Sequence, residues 1–100
     1  AGQANVDADI FELVRAELNV QELLLLGDEL DARNRIGWRQ HHRPMQAHDG
    51  RNARRDLLEE LLDAIAYARK DMMERPEDAE CFSFYRRVVE LACALKRRMG

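Results

Sequence analysis

The stretch that decides the fold reads Asn52-Ala53-Arg54-Arg55-Asp56-Leu57-Leu58-Glu59-Glu60-Leu61-Leu62-Asp63-Ala64-Ile65-Ala66-Tyr67-Ala68-Arg69-Lys70-Asp71-Met72-Met73-Glu74. Leu58, Leu61, Leu62, Ile65 and Met72 recur at the spacing of one helix face, which predicts a helix over 52–74. Arg75-Pro76 stops it. A further helix is predicted with Pro76 near its first position and Glu77, Asp78 and Glu80 in its first turn. Lys96, Arg97 and Arg98 close it, so acid at the start and base at the end both complement the helix dipole. Phe84, Val88, Leu91, Ala92 and Leu95 make its apolar face.

Toward the N-terminus, Asp9-Ile10-Phe11-Glu12 has the form of a capping box, and Asn19-Val20-Gln21-Glu22 repeats it. These signals predict a short helix over 9–18, a break at Asn19 and a longer helix over 20–35. Leu23, Leu24, Leu25 and Leu26 cover more than one face, which suits a helix with neighbours on several sides. Residues 36–50 lack helical periodicity and are punctuated by Gly37, Pro44 and Asp49-Gly50. They read as a long loop, and long loops in compact domains tend to be functional or mobile. The expected fold is therefore all-α: one domain over 1–100, a bundle of three to four helices with one long connection.

Composition narrows the function classes. Sixteen basic and 19 acidic residues give a net charge of −3, and 46% of the chain is apolar. A helical unit of this size buries a limited core, so association with a second copy is expected. No run of 18 apolar residues offers a membrane span. The N-terminus shows no basic stretch followed by an apolar one, so no secretory signal is expected. Cys81 and Cys93 lie 12 apart in one predicted helix, about 18 Å along its axis. They cannot bridge each other there, and both read as small buried hydrophobes. A reducing, cytoplasmic setting fits.

The chemistry-bearing residues fall into two sets. Asp56, Glu60 and Asp63 stack along one line of the 52–74 helix, continued by Tyr67, with Glu59 one step round. Like charges at this spacing repel, so solvent, arginines or a bound cation must compensate. Hard cations such as Mg²⁺ are held by carboxylate oxygens. Asp28 and Asp31 repeat the i, i+3 spacing of Glu60 and Asp63. If their helices packed antiparallel, the four carboxylates could face each other around one or two ions. Each row is equally readable as a solvated helix face.

The second set is basic. Seven arginines (Arg33, Arg35, Arg39, Arg43, Arg51, Arg54 and Arg55) stand against Asp49 alone. Residues 33–55 thus carry +6, leaving −9 for the remainder. Arginine's planar fork suits phosphate, although the same loop could simply pair with acidic helices. Adjacent His41 and His42 without a spaced partner are weak zinc ligands. Trp38 and Tyr67 could stack on a base, or be ordinary rim residues.

At this point Glu59-Glu60-Leu61-Leu62-Asp63-Ala64-Ile65-Ala66-Tyr67 resembles the second half-motif of the MazG-like all-α nucleoside triphosphate pyrophosphohydrolases. That family carries E-E-x-x-E and then E-x-x-D on successive helices. Glu60 and Asp63 match the second half. Asp28, Glu29 and Asp31 look like the first, with aspartates at two of its three glutamates and Glu22 as a candidate substitute. Residues 32–59 separate the halves. Gly50-Arg51-Asn52 and the compact length also look like small phage-borne or actinobacterial members of the group. The resemblance covers residues 20–75. It implies Mg²⁺, or Mn²⁺, held by Asp28, Asp31, Glu60 and Asp63. It further implies Glu59 or Glu60 acting on the attacking water, with Arg39, Arg51, Arg54 and Trp38 on the nucleotide. The products would be a nucleoside monophosphate and pyrophosphate, made by a homodimer or homotetramer.

The rival expectation is a non-enzymatic helical interaction or regulatory module that binds a protein or nucleic acid. The net charge argues against a general nucleic-acid binder, although the +6 segment alone could touch a phosphate backbone.

Overall fold

The structure, a computed structural model, describes residues 8–100. Among them it is all-α, with α1 at Ile10–Glu17, α2 at Val20–His41, α3 at Ala53–Glu74 and α4 at Glu80–Met99. The chain divides into two compact units, Ala1–Gly50 and Arg51–Gly100. The first is built on α1 against α2, the second on α3 against α4. No helix among the described residues is long and apolar enough to cross a membrane.

Side-chain caps set the helix boundaries of the first unit. Asp9 Oδ1 accepts from the backbone N–H groups of Phe11, at 2.9 Å, and Glu12, at 3.4 Å. Asp9 Oδ2 accepts from the Asn34 amide at 2.9 Å, so the same residue ties the start of α1 to α2. The predicted break at Asn19 is present. Leu18 is extended, and Asn19 and Glu22 exchange reciprocal hydrogen bonds of 2.9 and 3.0 Å in a full capping box. Arg15 then crosses to Asp31 at 3.2 Å. Gly27, the buried residue of α2, lies beneath that guanidinium.

The second helix runs six residues further than the spacing predicts. Gly37 weakens a helix by about 1 kcal/mol relative to alanine but does not end one. The end comes at His42, which takes the left-handed conformation (φ 57°) and donates its N–H to the Trp38 carbonyl at 2.8 Å. Trp38, Arg39 and His41 are therefore helical, not part of a loop. The connection to α3 is correspondingly shorter and folds back on α1, where Ile10 N–H donates to the Met45 carbonyl at 2.8 Å.

In the second unit, Asn52 caps α3 by accepting from Arg55 N–H at 3.1 Å. A short turn returns the chain, so α3 and α4 form an antiparallel hairpin. Leu58 on α3, and Cys81 and Ala92 on α4, are its buried residues. Half-buried Leu61, Ile65, Ala68 and Met72 continue the seam on α3. Tyr85, Val88, Leu95 and Met99 do so on α4. The alternating steps of three and four are those of a coiled-coil seam.

Two expectations are corrected here. The last helix begins at Glu80, not at Pro76, because Asp78 organises the turn before it. Asp78 Oδ1 accepts from Glu80 N–H at 3.0 Å, and its carbonyl accepts from Cys81 N–H at 3.2 Å. Cys93 is exposed, not buried. Ala92 takes the seam position, and the next residue is turned about 100° away from it.

Buried Cys81 donates its thiol to Asp71 Oδ2 at 3.0 Å, joining the two helices at their turn end. That hydrogen bond, with burial second, pushes the Cys81 thiol up to about 12. In return, the thiol and the neighbouring Arg75 guanidinium hold Asp71 below the usual carboxylate range.

Two outcomes follow from this packing. Leu58→Ala lowers unfolding free energy by about 2–4 kcal/mol in urea titrations. The unfolded Cys81 thiol ionises near its ordinary 9.0 while the folded one resists to about 12. The stabilisation is thus whole below about pH 9 and lost as pH climbs toward 12. Melting curves at about pH 8 and about pH 10.5 should show a larger drop for the native chain than for Cys81→Ala. Equal drops would exclude the thiol.

Candidate functional site

The acidic row of α3 follows from helix geometry. The seam at Leu58, Leu61, Ile65 and Met72 occupies one side. Asp56, Glu60, Asp63 and Tyr67 fall on the opposite side, about 160° round at about 100° per residue. Glu60, Asp63 and Tyr67 are exposed, Tyr67 by 72%, and Asp56 is half-buried.

The row is not uniform. Arg51 Nε reaches Asp56 at 3.0 Å, and Arg55 Nε reaches Glu59 at 3.3 Å. Glu60 and Asp63, one turn apart, make no hydrogen bond or ion pair among the described residues. Two like charges at this spacing destabilise a helix modestly, and here no arginine of the row offsets them. The arginines compensate the start of the row and leave its middle open.

The acidic group of α2 is divided in a similar way. Asp28 and Glu29 are exposed, whereas Asp31 is committed to Arg15. Asp28 and Asp31 belong to the first unit, Glu60 and Asp63 to the second. Among the described residues no three His, Cys, Asp or Glu side chains are grouped to hold a metal ion.

The nucleotide-binding candidates lie at helix ends. Trp38, 47% exposed, and Arg39 stand on the last turns of α2, while Arg51 and Arg54 flank the start of α3. The connection between these helices holds three positive-φ residues, His42, His48 and Gly50. Only the glycine adopts such a backbone without steric cost.

One feature escapes a reading of the sequence. Leu58, Leu62 and Ile65 of α3 and Val89, Ala92 and Cys93 of α4 line a groove of about 580 Å³, with Arg55, Lys96 and Arg97 at one end. Arg55, Leu58, Leu62 and Ile65 step by three and four, which marks a face. The helix across from that face is fixed only by the hairpin.

No protein-family model, no curated protein and no solved structure matches the chain.

Proposed function

We propose that this protein is a divalent-metal-dependent nucleotide pyrophosphohydrolase whose metal-holding pair includes Glu60 and Asp63 of α3. The observation that carries the reading is that pair: exposed, one turn apart, and without a compensating cation among the described residues. Mg²⁺ keeps several waters and is commonly held by one or two carboxylates together with substrate phosphates. Glu60 and Asp63 fit that donor set. When bound, Mg²⁺ or Mn²⁺ supplies neutralisation of phosphate charge and lowers the pKa of bound water.

The remaining work falls to the chain. Glu59, released from Arg55, orients the attacking water and takes its proton. A bond forms from the water oxygen to the α-phosphorus. The bond from that phosphorus to the bridging oxygen breaks, and pyrophosphate leaves with the bonding electrons. Arg51 and Arg54, at the start of α3, hold phosphate oxygens by charge-assisted hydrogen bonds. The expected assembly is a homodimer or homotetramer in a reducing, cytoplasmic setting.

A second reading has its own support. Val20, Leu24 and Leu25 are 74%, 83% and 78% exposed on α2. Large apolar side chains displayed in this way mark interaction surfaces, as a non-enzymatic helical module requires.

Glu60→Gln and Asp63→Asn should each lower metal-dependent pyrophosphate release from nucleoside triphosphates by about 100-fold or more, with far-ultraviolet dichroism unchanged. Release at the native rate in both variants would remove the enzyme. Millimolar Mg²⁺ or Mn²⁺ should raise the melting temperature of the native chain by mass action and leave Glu60→Gln unmoved. An interaction module shows neither effect. Arg51→Ala should raise KM for the nucleotide, and an unchanged KM would remove that arginine from the nucleotide site.

A further inference from the structure

We propose that the groove side of the α3–α4 hairpin binds an acidic amphipathic helix of another protein. This goes beyond the hydrolase reading and does not rest on it, since the acidic row of α3 lies on a different face. Leu62 and Val89 line the groove itself. Helix periodicity carries the apolar strip on toward the turn. Met73 stands 11 residues after Leu62, and Phe82 seven before Val89. Each lies within about 20° of its reference residue at about 100° per residue. Leu62, Met73 and Phe82 are 50%, 71% and 56% exposed. Large apolar side chains gathered in one strip mark a contact surface.

Cations frame the strip. Arg55, Lys96 and Arg97 line one end of the groove. Arg69, seven residues after Leu62, and Arg86, four after Phe82, fall on the same side. The nearest acid on these helices, Glu59, is paired with Arg55. Five cations against one acid give this side a net of +4 in a chain of −3. Among the described residues Arg69, Arg86, Lys96 and Arg97 make no ion pair.

Charge and shape together select the occupant. Two copies of this face would set +4 against +4, so it is not a self-contact. The groove is concave, about 580 Å³, and floored by Leu58, Ile65 and Ala92. A flat bilayer surface does not fill such a floor, and a nucleic-acid backbone would leave the apolar strip in water. A helix does both tasks. Its apolar residues at i, i+3, i+4 and i+7 enter the groove, and acids beside them meet the cations of the rim. From Phe82 to Lys96 is 14 residues, about 21 Å, which matches about four turns of partner helix.

The probe is a fluorescein-labelled synthetic peptide of about 16 residues, with leucines at helical spacing and glutamates on either side of them. Titrated with the full chain, its anisotropy should rise saturably with a Kd on the order of 10 μM at low salt, weakening as salt is added. The same peptide with lysines for glutamates, or with its leucines dispersed round the helix, should not bind. Saturating peptide should slow alkylation of Cys93, which is exposed and lines the groove. Lys96→Glu with Arg97→Glu should weaken binding at least about 10-fold. Arg87→Glu with Arg98→Glu, the same charge change on the far flank of α4, should leave it unchanged. All four substituted side chains are exposed, so the fold is not at stake. No saturable binding, an unprotected Cys93, or equal losses in the two double variants would each overturn the proposal. So would pelleting with phosphatidylglycerol vesicles, or retardation of a labelled oligonucleotide, that Lys96→Glu with Arg97→Glu abolishes while the peptide fails to bind. Those outcomes would give the face to a membrane or to nucleic acid.

Discussion

Leu58 on α3, together with Cys81 and Ala92 on α4, is what the second unit removes from water, and this seam sets the orientation of everything else on the hairpin. Burial on one side of a helix dictates what the other sides display. With Leu58, Leu61, Ile65 and Met72 turned inward, the carboxylates of α3 face out on the opposite side. Leu62 and Arg55 fall on a flank between the two. The acidic row, the apolar groove and the seam are thus three consequences of one rotation of α3 about its axis.

Polar contacts supply the precision that so small a core cannot. Asp9 serves two helices at once, capping α1 and accepting from Asn34. Asn19 and Glu22 fix where α2 begins. At the turn end, the Cys81 thiol and Arg75 share Asp71, so a buried sulfur stays protonated well into alkaline solution while its acceptor stays ionised. Most of the ion pairs are exposed, and such pairs contribute little individually. They act on register and helix ends more than on total stability.

The distribution of compensation along α3 links structure to function. Arg51 and Arg55 pair with Asp56 and Glu59. Glu60 and Asp63 have no such partner among the described residues. The apolar flank with Leu62 faces elsewhere. Residues that a sequence reading lumps together as an acidic, leucine-rich helix are in this way divided among separate faces.

Helix content and the starts of α1, α2 and α3 were legible in the sequence. A period of 3.6 and a short acceptor before it are local signals, written within a few residues. The i, i+3 spacing of Glu60 and Asp63 was legible for the same reason. The end of α2 was not, because a histidine takes the left-handed position that glycine normally advertises. The start of α4 was misplaced because residues 76–79 form a turn, held by Asp78, before the helix begins. Tertiary structure alone decided that Cys81 is buried and Cys93 is not, that Asp31 is committed to Arg15, and that Leu62 faces Val89 across a groove. Each of these depends on which residues from distant parts of the chain share a face, and a one-dimensional pattern fixes the faces without fixing their partners.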